Sequence, residues 1–99
     1  MNKKLDTDEV KNLYKAVVSL KSEEECMAFF EDLCTINEIL SLSQRFEVAR
    51  LLREHWTYLD IAQKTGASTA TISRVNRALN YGTDGYDTVL NRLKAEERE

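Results

Sequence analysis

Between Ser68 and Arg77 the chain sets out side chains suited to one kind of chemistry, the reading of another molecule's hydrogen-bonding edges. Ser68, Thr69, Thr71 and Ser73 crowd the start of a helical pattern, although hydroxyl residues are mediocre helix formers. Ser68 suits the N-cap. The others offer short donors and acceptors for phosphate oxygens and base edges, and Ala70 or the Thr69 methyl can meet a thymine methyl. Arg74 and Arg77 extend from the same face, and arginine binds guanine bidentately or clamps phosphate. Catalysis finds no comparable set. His55 is the sole histidine, and no Ser/His/Asp constellation, phosphate loop or pair of buried carboxylates is legible, so an enzyme is the weakest reading. Cys26 and Cys34, eight residues apart, lack a zinc spacing and read as reduced thiols on an apolar stripe, with no metal implied.

Such a face needs a scaffold that fixes its helix against the one before it. Thr57–Leu79 reads as that scaffold, two short helices about a tight turn, the pattern of a DNA-binding helix-turn-helix. Ala62 is the small residue over which the second helix crosses, and four positions later Gly66 supplies the positive φ of the turn. Ile61, Ala67, Ile72 and Val75 form the motif's internal apolar set, with Leu79 beyond them. The first helix crosses the DNA backbone, which assigns Thr57, Tyr58 and Lys64 to phosphate positioning. The rival reading is a helical protein-interaction module that keeps this geometry without reading DNA.

The whole chain agrees with helices. Its 99 residues contain no proline and three glycines, and 42% are hydrophobic. That composition predicts a single all-α domain and argues against a sheet, whose turns want Gly, Pro and Asn-Gly pairs. No run approaches the roughly 20 apolar residues of a membrane span. The N-terminal Met1–Asp6 lacks the apolar core of a signal peptide, so the expected location is the cytoplasm. The net charge of −3 divides unevenly. Residues 44–80 carry six basic and three acidic side chains, a net of +3, against 8 basic and 14 acidic elsewhere, a net of −6. A basic middle between acidic ends suits one face on phosphate and the others turned away.

In chain order, residues 1–6 read as frayed. Val10, Leu13, Tyr14, Val17, Val18 and Leu20 form one helical stripe over 8–20. Ser22–Glu25 is a capping box before a strongly apolar helix with Met27, Phe29, Phe30, Leu33 and Cys34. Thr35–Glu38 repeats the box and starts a short segment to Leu42, after which Ser43 is expected to cap a separate helix that Trp56 closes. Gly82 is placed like a helix-ending glycine, Thr83 or Asp84 like the next cap. A last helix carries Tyr86, Val89, Leu90 and Leu93 before the charged end, Lys94–Glu99. Six helices are expected, with 8–55 and 84–97 for dimerisation and 57–80 for the helix-turn-helix. A lone motif reads too few base pairs to be specific, which favours a homodimer on double-stranded DNA.

The run Ile61–Gly82, with Leu51-Leu52-Arg53 before it, resembles the Trp repressor family, and within it the small Trp-repressor-like YerC/YecD group. The resemblance covers roughly residues 33–93. It implies a six-helix, intertwined homodimer whose recognition helices enter successive major grooves of a near-palindromic operator, and so a regulator of transcription, a repressor. It also implies that Arg74 matches an arginine forming one wall of a tryptophan pocket. The pocket's other arginine falls near Arg45 or Gln44. Two positions depart from the family: Val75 stands where it has a glycine that makes room for the indole, and Ala78 where it has a serine near the ligand amine. The expectation is therefore a protein without tryptophan as corepressor and without a cofactor, with a different small-molecule corepressor left open.

Overall fold

The computed structural model describes residues 2–97, and six α-helices with one short 3-10 turn make up the architecture, with no strand among the described residues. The helices are α1 (Asp8–Val18), α2 (Glu23–Leu33), α3 (Ile36–Arg53), α4 (Tyr58–Thr65), α5 (Thr69–Tyr81) and α6 (Gly85–Glu97). The 3-10 turn, Lys3–Leu5, replaces the frayed start expected of residues 2–6, with the Asn2 carboxamide oxygen accepting from the Lys4 N–H at 2.9 Å. Met1, Arg98 and Glu99, which the expected N-terminal and C-terminal ends include, lie outside the described residues.

The fold separates into two compact units, Met1–Ile39 and Leu40–Glu99. In the first, hydroxyl caps start each helix. Thr7 accepts from the Val10 N–H (3.2 Å) and Ser22 from the Glu25 N–H (3.1 Å). Glu25 reaches back past the cap to the Lys21 N–H at 2.9 Å. The second box is reciprocal: Thr35 Oγ1 accepts from the Glu38 N–H and Glu38 Oε1 from the Thr35 N–H. That backbone donor, helped by the Thr35 side chain, holds the Glu38 carboxyl below its ordinary pKa. Phe29 and Phe30 meet edge to face at 5.8 Å. No side chain of α1 or α2 is buried: Tyr14 is 52% exposed, Val18 83% and Met27 57%.

The expected break at Ser43 is absent, and α3 runs unbroken for 18 residues. No glycine or proline falls between Thr35 and Arg53 to end it. A serine inside a helix costs only a few tenths of a kcal/mol, less than the tertiary packing of Val48, Ala49 and Leu51 returns. The helix ends three residues before Trp56. His55 adopts φ 65° and donates its N–H to Leu52 (3.0 Å), while the Trp56 N–H reaches Leu51 (3.1 Å). These are the paired bonds of a Schellman cap, with histidine in the seat that glycine usually fills. His55→Gly is therefore expected to raise stability by about 1 kcal/mol, less the extra freedom glycine gains when unfolded. A urea titration followed by circular dichroism checks it.

All seven buried residues belong to the second unit: Val48, Ala49 and Leu51 of α3, Ile61 of α4, Ala67 of the turn, and Ile72 and Val75 of α5. Leu52, Ala62, Tyr86 and Leu90 pack against them. Of the α6 stripe, Tyr86 and Leu90 thus face the core, whereas Val89 and Leu93 stay exposed. Arg53 ties α3 to α6, donating to Asp87 (2.6 Å) and Asn91 (2.8 Å). Gly82 does end α5, but with φ −90°. A Cβ there would lie 2.3 Å from the Ala78 carbonyl oxygen, so close approach and not positive φ demands the glycine. Asp84 precedes α6 with φ 64°, its carbonyl accepting from both the N–H and hydroxyl of Thr88 at 3.0 Å.

Candidate nucleic-acid interface

The turn between α4 and α5 is built as the residue types demand. Gly66 has φ 74° and donates its N–H to Ala62 at 2.9 Å. Nothing would meet a Cβ there, so its requirement is conformational alone. Thr65 closes the corner: its hydroxyl donates to the Ile61 carbonyl (2.7 Å) and accepts from the Ala67 N–H (3.1 Å). Gln44 of α3 donates its amide to the Thr65 carbonyl (3.2 Å), pinning the turn to the long helix across 21 positions. Neither role was foreseen. Thr65 carries a local signal, a hydroxyl one residue before a helix-ending glycine. Gln44 carries none, because its partner is brought to it only by the fold.

Ile72 and Val75 turn inward at 0% and 1% exposure, and Leu79 is half-buried behind them. At about 100° per residue this aims Ala70, Ser73 and Arg77 in a row on the opposite side, with Thr69 and Arg74 flanking it. All five are exposed. The other expected contact residues are placed differently. Ser68 caps α5, its hydroxyl oxygen accepting from the Thr71 N–H at 3.1 Å, and the Thr71 hydroxyl, half-buried, meets that of Ser68 at 3.1 Å. Thr57 caps α4, accepting from the Asp60 N–H at 3.2 Å. Lys64 is exposed at the end of α4. These hydroxyls serve their own helices first.

The charges sort themselves. Arg50 is held by Glu47 and by Glu54 (3.2 Å), and the hydrogen bond it donates to Glu47 keeps its guanidinium above the ordinary arginine pKa. Arg53 is paired with Asp87. Arg45, Lys64, Arg74 and Arg77 meet no carboxylate within ion-pair distance among the described residues. Helix α5 contains no acidic residue at all, in a chain with 17 of them. The net positive charge of the middle segment is thereby concentrated on the helix-turn-helix. Arg45 is half-buried, and its Nε is shielded without a hydrogen-bond partner.

The family described as Trp repressor protein matches residues 8–94. The uncharacterized protein YerC of Bacillus subtilis (strain 168) is 59% identical over 96 residues, covering 97% of this chain and 92% of its own length. A TrpR like protein from Eubacterium eligens ATCC 27750, known from its crystal structure, superposes with a TM-score of 0.90 at 71% identity, over 94% of this chain and 96% of that one. A Staphylococcus aureus crystal structure superposes with a TM-score of 0.88 at 49% identity, over 93% and 92%.

Proposed function

The chain belongs to the Trp repressor family, a family of DNA-binding regulators and not of enzymes, and from that premise we propose a sequence-specific transcriptional regulator. It acts as a cytoplasmic homodimer that represses by occupying a near-palindromic operator. The observation that carries this reading is the acid-free outer face of α5. There Ala70, Ser73 and Arg77 stand exposed opposite the buried Ile72 and Val75, with Thr69 and Arg74 exposed beside them. Short hydroxyls and a methyl approach base edges, arginines bind guanine or phosphate, and the first turn of α5 presents backbone N–H groups to phosphate. Lys64 and Thr57 lie on the helix that crosses the backbone. Ser68 and Thr71 keep their places by shaping the helix start.

The dimer is supported by what the single chain leaves uncovered. The first unit buries no side chain, yet Leu13, Tyr14, Val17, Val18, Met27 and Leu33 form apolar stripes at 36% exposure or more. A second copy supplies the cover that such stripes need in water, and it places two recognition helices about 34–36 Å apart for successive major grooves. No helix among the described residues is long and apolar enough to cross a membrane.

A mobility-shift series tests the reading. Binding to duplex recovered from a random-sequence selection is expected to fall steeply with salt, the log-log slope counting roughly 0.9 per phosphate neutralised. A protein that selects no sequence and shows no salt dependence is an interaction module and not a regulator.

A further inference from the structure

The family's name implies an amino-acid corepressor, and the residues present do not fit one. Val75 is 1% exposed and packed with Leu51, Ile61 and Ile72, so its side chain is part of the core and neither lines nor leaves an opening beside α5. The groove at Ala78, about 540 Å³, is lined by Phe46, Thr83, Tyr86 and Val89 together with two glycines, and no charged side chain reaches it. A zwitterion there would give up the water around a carboxylate and an ammonium and find no charged partner for either. Arg74 and Arg45 are not among its walls. Gln44, the other candidate near Arg45, already donates its amide to Thr65. Arg45 keeps unused hydrogen-bonding capacity in its shielded Nε.

We propose that the packing of Val75 itself holds the recognition helix in its reading pose, so that DNA binding needs no amino-acid ligand. This inference rests on the DNA-reading function proposed above and concerns its regulation. In a ligand-gated regulator the pose of the helix is completed by a bound molecule, and binding couples to DNA affinity by about 5–150-fold. In this chain the helix is packed into the core by its own side chain, Val75. Ile72 on the same face, the Gly66 corner and the Gln44 bond to Thr65 fix the remaining freedom. The apo protein is then the binding-competent protein, and its control lies in its own abundance.

The test is a random-sequence DNA selection with the full chain in amino-acid-free buffer, repeated with about 1 mM L-tryptophan and then with the other amino acids as a mixture. The expected result is the same enriched motif in every arm, with a Kd for that duplex changed less than twofold by any addition. Enrichment only with an amino acid, or a Kd tightened tenfold or more by one, overturns the inference while leaving the DNA-reading function intact. It would assign the unused Nε of Arg45 to the ligand's carboxylate. No motif in any arm removes the function and the inference together. Val75→Ala, assayed where its circular dichroism equals that of the wild type, is expected to weaken binding several-fold without becoming tryptophan-responsive. Unchanged affinity in that folded variant also overturns it. Should the variant fail to fold, the wild-type arms decide alone.

Discussion

Ile72→Ala is expected to cost about 2–5 kcal/mol, enough to leave Leu40–Glu99 largely unfolded at physiological temperature. Ile72 is 0% exposed and sits where α5 crosses the α3 and α4 side chains of the core. Only seven of the described residues are buried, and they form one layer with no second to collapse into the space a missing side chain leaves. The effect should appear as an early, shallow transition in a urea titration followed by circular dichroism. Thr69→Ala, three positions earlier on the exposed side, should stay within about 0.5 kcal/mol of the parent. A loss under 1 kcal/mol for Ile72→Ala would mean that α5 is not anchored through this face.

The second large effect concerns binding. Arg74→Ala and Arg77→Ala should each leave the melting curve nearly unchanged, because both side chains are exposed and neither makes an intramolecular ion pair among the described residues. Each should weaken binding to the selected duplex by about 1–3 kcal/mol per base contact, and a homodimer loses the contact twice. The two kinds of contact are separable. An arginine on guanine relaxes the preference at one position of the motif. An arginine on phosphate weakens all sequences alike and lowers the salt slope by about one. Arg50→Ala is the matched control: Arg50 is equally cationic but held by Glu47 and Glu54, so its removal should leave the salt slope where it was. Loss of folding in both the Arg74 and Arg77 variants would make them structural and return the protein to the interaction-module reading.

The placement of Arg50 shows why charge could be counted but not located from the chain alone. Six basic residues between 44 and 80 look alike in one dimension. The fold pairs Arg50 along its own helix and Arg53 with Asp87, 34 positions away, and thereby hands the positive field to Lys64, Arg74 and Arg77. The hydroxyl residues sorted in the same way. Ser68 and Thr57 were legible as polar groups at helix starts, yet their oxygens accept from backbone N–H groups. Only Thr69 and Ser73 remain exposed without such a bond. Ser43 misled because a cap is a statement about a chain break, and nothing in the neighbouring sequence breaks α3.

By itself the sequence determined everything that depends on offsets within one or two helical turns. The small residue at Ala62, the positive φ at Gly66, the inward set Ile61, Ala67, Ile72 and Val75, and the boxes at Ser22 and Thr35 follow from local sterics and from a period of about 3.6 residues. All four of those inward residues are buried. The relations between distant positions waited on the packing of the helices. Gln44 finds Thr65 and Arg53 finds Asp87, because packing α3 against the α4–α5 corner and against α6 sets which distant groups meet. Local rules placed the reading helix; long-range packing decided which of its side chains are left to read.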